Sequence, residues 1–106
     1  MGMSKNRAAI DLGTNSFRML IADIEGPCFT PIKKVLRSVR LGEHFNGNNL
    51  TTAALKRGLA AITAFRQELS RYPDIQTIAC GSAVFRQANN IDAFSTRAEA
   101  LLGAKI

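Results

Sequence analysis

At 106 residues, 46% of them hydrophobic, the chain is long enough for one small domain with a packed core and too short for two. It has no Trp, one Tyr and six Phe, so the core must be mainly aliphatic, and no apolar run approaches the roughly 20 residues of a membrane span. Fourteen Lys and Arg against eight Asp and Glu give a net charge of +6, which favours an anionic partner: a nucleotide, a polyphosphate or a nucleic acid. No recognition-helix pattern, zinc spacing or aromatic-basic RNA motif is visible, which makes nucleic acid the weakest of the three. The start, Met1 to Arg7, has no signal-peptide core, and Asn6 stands where a myristoylation signal at Gly2 needs Ser or Thr. Cys28 and Cys80 form no C-x-x-C pair and read as small core residues in a reducing cytoplasm.

Ala8 to Leu12 reads as one buried strand and Phe17 to Ile24 as the next, joined as a hairpin by Gly13-Thr14-Asn15-Ser16. Gly13 lets the backbone come close to a ligand. Thr14, Asn15 and Ser16 add hydroxyl and amide groups to main-chain donors, a lining suited to phosphate. Asp11 would repel a bare phosphate, so its expected task is to hold Mg²⁺ or its waters. Taken alone, this stretch reads equally well as an ordinary polar turn. Glu25-Gly26-Pro27 is then a turn, and Cys28 to about Leu41 a third extended segment, with Pro31 marking an edge or a bulge. Three such strands make an antiparallel meander, followed by a polar loop from Gly42 to Asn49.

Thr51 is the expected N-cap of a long helix, with Leu50 and Leu55 as a hydrophobic staple. Leu55, Leu59, Ile62 and Leu69 form its apolar stripe with Phe65 beside it, and Pro73 ends it after Tyr72. Its basic residues read as a solvated face. Ile75 to Cys80 is expected as a fourth strand, buried on both faces and parallel to a strand of the meander. Gly81-Ser82 turns into a short helix over Ala83 to Ala88. Asn90 is placed to cap another from Ile91 to Leu102, closed by Gly103. Ala104-Lys105-Ile106 reads as the beginning of a fifth strand, which suggests either a fragment or a terminus that pairs only marginally.

The second informative stretch is Gly81-Ser82-Ala83-Val84-Phe85-Arg86. It follows a strand and opens a helix, where main-chain N–H groups favour an anion. Arg86 could grip phosphate oxygens in a two-pronged fork, although a surface Arg near a helix start is the simpler reading of that residue alone. If strands one and four are neighbours, both loops open on one edge of the sheet.

A-I-D-L-G-T-N-S-F-R-M-L-I-A, V-R-L-G-E and G-S-A-V-F-R-Q-A-N-N together resemble the exopolyphosphatase and guanosine pentaphosphate phosphohydrolase family. The resemblance runs from Arg7 to Gly103. It implies an α/β fold: the N-terminal part, residues 1–106, of an actin-like, ribonuclease H-like domain. That part would be a three-stranded antiparallel meander plus parallel strands with flanking helices, truncated before the fifth strand is complete. It further implies a cytoplasmic, Mg²⁺-dependent hydrolase, homodimeric at full length, that releases terminal phosphate from polyphosphate or guanosine pentaphosphate. Carried over by motif, Asp11 is the metal-organising carboxylate, and Gly13, Thr14, Asn15 and Ser16 are the first phosphate loop. Gly81, Ser82 and Arg86 form the second, with Arg86 facing the phosphate, and Arg40 lies near the cleft.

Two departures stand out. His44 occupies a position where the family has Gly, which bears on the conformation of that loop; as the sole His it reads as an exposed loop residue. The family's catalytic glutamate, in G-x-E-E-A, and its later D-x-G-G-G-S loop are absent from these residues. Glu25, Glu43, Glu68 and Glu99 stand in other contexts, so these residues alone are expected to be inactive. A kinase- or ATPase-like member of the same superfamily, or a non-enzymatic polyanion-binding module, are the alternative readings.

Overall fold

Alternating apolar residues near the start of the chain build an antiparallel hairpin in the computed structural model, which describes residues 5–106. The reading of the first residues as free of a signal or acylation site falls partly outside that range. β1 (Lys5–Leu12) pairs with β2 (Ser16–Glu25), and β2 with β3 (Cys28–Ser38), completing the expected meander. After α1 (Thr52–Leu69), β4 (Gln76–Gly81) returns parallel to β1, and the sheet order is β3-β2-β1-β4. Two further helices follow, α2 (Val84–Gln87) and α3 (Asp92–Leu102). The result is a mixed α/β fold with a four-stranded mixed sheet.

β3 is an edge strand, as Pro31 requires, and it stops at Ser38 rather than running on to Leu41. Ile21 pairs with Lys33 and Ala22 with Pro31, which leaves Ile32 as the extra residue of a bulge.

The core lies on one face of the sheet. Ala8, Ile10 and Leu12 of β1 and Phe17, Met19 and Ile21 of β2 are buried there, in one cluster with residues of α1 and α3. The Thr51 hydroxyl caps α1 by accepting the Ala54 N–H at 3.1 Å. The buried line of α1 is Ala54, Gly58, Ala61, Ile62, Phe65 and Leu69, whereas Leu55 and Leu59 stand half-buried at its margin. Close packing explains this rotation. A Cβ on Gly58 would lie 2.9 Å from the Phe94 ring, so small residues give α3 its seat on α1. The helix also ends at Leu69, before Tyr72.

Asn90 does not cap α3. The N-cap position is Ile91, without a side-chain bond, and the Asn90 amide instead serves both main-chain groups of Leu50. It accepts the Leu50 N–H and donates to the Leu50 carbonyl, each at 2.9 Å. That reciprocal pair ties the approach to α1 to the approach to α3. Gly103, with φ of 68°, closes α3 in the left-handed conformation that glycine takes without strain. Residues 104–106 form no strand. They fold back on the helix end, where the Ile106 N–H donates to Glu99 Oε2 at 2.8 Å.

The opposite face of the sheet is bare. β4 was expected to be buried on both faces, but it alternates exposed and half-buried residues, and Ile78 is 73% exposed. The reason is that α1 and α3 share one side of the sheet, and among the described residues β4 has β1 as its single sheet neighbour. Ala9, Arg18, Leu20, Leu36, Ile78 and Cys80 are among the residues that line an open hollow of about 700 Å³ on the bare side. Both cysteines are exposed, against the expectation of core positions: Cys80 faces this hollow, and Cys28 begins the edge strand. No helix among the described residues is long and apolar enough to cross a membrane.

Candidate phosphate site

β1 ends at Leu12, and the chain reverses within four residues. The Gly13 N–H donates to the Ser16 carbonyl at 3.0 Å, closing the turn. A Cβ on Gly13 would lie 2.8 Å from that same oxygen, which is why no larger residue fits. Gly13 therefore contributes space, because its own amide is used inside the turn.

The parallel pairing of Leu12 with Gly81 brings the second loop alongside. The Ser82 N–H continues the ladder to the Leu12 carbonyl at 3.0 Å, and Thr14 Oγ1 donates to Ser82 Oγ at 3.1 Å. Two loops far apart in sequence thus meet outside the carboxyl ends of adjacent parallel strands, the usual place for a ligand in such sheets. Of two hydroxyls sharing one bond, one keeps its proton for an incoming oxygen. Gly81 has no Cβ because the Phe85 ring lies against it; a Cβ would stand 2.7 Å away.

Arg86 is exposed on α2, and it makes no ion pair among the described residues. The expected helix over residues 83–88 is in fact the four residues of α2, without a side-chain cap, so its dipole is small. Asp11 is exposed on the bare face, in register with Arg18 of β2 and Cys80 of β4, and it lines the hollow beside the loops. Among the described residues no group of three or more His, Cys, Asp or Glu is placed to hold a metal ion.

Arg40 reaches the first loop through its main chain. The N–H groups of Val39 and Arg40 both donate to the Asn15 carbonyl, at 2.9 and 2.7 Å, and Gly42 N–H donates to the Thr14 carbonyl at 3.1 Å. The V-R-L-G-E stretch is thus a brace behind the turn, anchored by buried Val39 and Leu41. The Arg40 guanidinium pairs with Glu43 at 3.1 Å. His44 is exposed as expected and takes φ of 59°, the left-handed conformation that a Gly would adopt there. One residue of this region carried no signal in the sequence: Arg57 holds the brace from α1 beside Glu43 of V-R-L-G-E, and a basic residue on a helix looks like any other solvated charge.

No family model matches the chain. Over 105 residues it is 37% identical to a protein of Aliivibrio fischeri named guanosine-5'-triphosphate,3'-diphosphate pyrophosphatase, a match covering 98% of this chain and 21% of that one. A Vibrio atlanticus protein of the same name is 40% identical over 101 residues, or 93% of this chain and 20% of its own length. An exopolyphosphatase structure from Cytophaga hutchinsonii superimposes with a TM-score of 0.85 at 26% identity, covering 95% of this chain and 33% of that one. The Aquifex aeolicus PPX-GPPA enzyme, at 21% identity and a TM-score of 0.79, shares the fold over 98% of this chain and 36% of its own. The chain spans about a fifth of the length of the curated relatives it matches and about a third of the solved structures. In sequence the chain is similar to proteins named guanosine-5'-triphosphate,3'-diphosphate pyrophosphatase, and in fold to the exopolyphosphatase and Ppx/GppA structures.

Proposed function

We propose that this chain forms the phosphate-holding wall of a phosphohydrolase that removes the terminal phosphoryl group from inorganic polyphosphate or guanosine pentaphosphate, within an actin-like domain. The observation that carries the reading is the Thr14–Ser82 hydrogen bond, which holds two loops of small, hydrogen-bonding residues together at the carboxyl edge of the sheet. The names of the relatives and of the solved neighbours support it.

In this reading the Thr14 and Asn15 amides and the Ser16 and Ser82 hydroxyls meet phosphate oxygens, while Gly13 and Gly81 leave room for them. Arg86 neutralises charge on the group being transferred, and Arg40 adds positive charge at the rim. A lone exposed carboxylate such as Asp11 suits Mg²⁺, which keeps several waters and takes further oxygens from substrate phosphates. When bound, that ion supplies charge stabilisation, and positioning with charge neutralisation is most of what phosphoryl transfer demands of a protein. The attacking water needs a base within hydrogen-bond reach. Asp11 is assigned to the ion, and Glu43 is engaged by Arg40 and Arg57. We therefore assign the base to a carboxylate elsewhere in a protein of the relatives' length.

The test is Mg²⁺-dependent orthophosphate release from inorganic polyphosphate and from guanosine pentaphosphate by such a longer protein. Arg86→Ala is expected to lower turnover by about 10²–10³-fold, the usual cost of losing one charge-stabilising donor, and Lys56→Ala less than about twofold. Equal effects would mean that the charge acts diffusely. The 106 residues alone are expected to bind but not turn over, because a general base contributes about 10²–10⁴ in rate. Release at an ordinary enzyme rate by this chain alone would defeat that assignment. The free, exposed thiols of Cys28 and Cys80 are compatible with a reducing cytoplasm as the compartment. The homodimer implied for the full-length protein is part of the same reading, and light scattering tests it.

A further inference from the structure

We propose that Arg57 is a positioning residue that fixes the conformation of the first phosphate loop, acting through the peptide group between Val39 and Arg40. The proposal rests on the phosphate reading for its functional meaning. Its geometry stands independently.

Arg57 rises from α1 with its side chain 28% exposed. Its Nε donates to the Val39 carbonyl at 2.7 Å and its Nη2 to the Arg40 carbonyl at 3.0 Å. The Val39 carbonyl belongs to the same peptide plane as the Arg40 N–H, which donates to the Asn15 carbonyl at 2.7 Å. A chain of hydrogen bonds therefore runs from the guanidinium through one peptide plane into the loop, and such chains polarise and strengthen each other. The first link is charge-assisted, the stronger class of bond. Glu43 closes the arrangement as an ion-pair partner, 3.1 Å from Arg40 Nη1 and 3.5 Å from Arg57 Nη2.

The brace needs such a hold. Arg40 has φ of 51°, a left-handed conformation that is costly for a residue with a side chain and persists only when its surroundings impose it. That conformation accompanies the aiming of two successive N–H groups at the single Asn15 oxygen. With the Thr14 and Asn15 carbonyls occupied from behind, their lone pairs are kept away from an anion in front. A Lys in place of Arg57 keeps the charge but lacks the planar fork that reaches two carbonyls at once.

The experiment compares the 106-residue chain with Arg57→Lys, Arg57→Ala and Lys56→Ala. Two quantities are read: affinity for tripolyphosphate with Mg²⁺, and amide hydrogen exchange in the absence of ligand. Both Arg57 variants are expected to lose about tenfold or more in affinity and to exchange about tenfold faster at Val39, Arg40 and Gly42, while Ile62 and Phe65 in α1 stay protected. Lys56→Ala removes the same charge and should leave exchange at these amides unchanged. Wild-type exchange and affinity in Arg57→Lys would overturn the proposal, as would faster exchange spread equally over α1, which marks global destabilisation. If the unaltered chain fails to bind tripolyphosphate, the phosphate reading falls. The exchange at Val39 and Arg40 then still decides whether Arg57 holds the loop.

Discussion

The two faces of the sheet are made by alternate residues of the same strands, yet they live in different solvents. On the helix side Leu12, Phe17 and Ile21 are fully buried, whereas Leu36 and Ile78 on the open side are 60% and 73% exposed. The open side mixes charged residues such as Asp11 and Arg18 with apolar ones such as Leu20, Leu36 and Ile78, so residue type alone does not tell which face is covered. What differs is cover: α1 and α3 lie over one face, and the other opens on a hollow. An apolar side chain stabilises the fold in proportion to the area it removes from water, so the same residue type carries very different weight on the two faces.

The sharpest way to break this comparison is a pair of substitutions. Phe65→Ala on the covered side is expected to cost about 3–5 kcal/mol in chemical denaturation. Ile78→Ser on the open side is expected to stay within about 0.5 kcal/mol of the parent. Equal losses would mean that the open face is covered in solution. Next in size is Gly58→Val, which forces a side chain into the Phe94 ring and should cost about 1–3 kcal/mol by overpacking. His44 lies on neither face, and relief of its left-handed strain by His44→Gly should stabilise by about 0.5–1 kcal/mol, read as a higher denaturation midpoint.

The smallest effect concerns the edge of the covered side, where Lys33 of β3 reaches Glu68 of α1 at 2.8 Å. The hydrogen bond from Lys33 holds the Glu68 carboxyl below its usual value of 4.5, with the charges of Lys33 and Arg71 acting in the same direction and burial opposing them. A lowered folded-state value gives stability that is present above 4.5 and lost as pH falls through the lowered value. Glu68→Gln should flatten the acid limb of the stability curve in that window and leave its shape near neutrality unchanged. An unaltered acid limb would show the pair to be solvent-separated.

Features that rest on local chemistry were legible in the sequence. The meander, the Thr51 cap, the Pro31 edge and the parallel return of β4 each follow from a few neighbouring residues. What escaped depends on distant partners. The stripe of α1 turns toward Gly58 because Phe94 needs room, and Asn90 leaves its helix to serve Leu50. β4 looked doubly buried because its apolar residues say nothing of what lies above them. The proposed site divides in the same way. Its two loops announce themselves through glycines and small polar residues, whereas the hold of Arg57 on the Val39 and Arg40 carbonyls is visible only once α1 is packed.

The Thr14–Ser82 bond joins residues 68 positions apart. It cannot form until the parallel pairing of β1 with β4 is complete, and long-range parallel pairings belong to the slow steps of folding. The proposed site is therefore a record of finished topology, absent from every earlier stage of the chain's history. An anion held between the loops would bind the completed fold and not its precursors, drawing the chain toward completion by mass action.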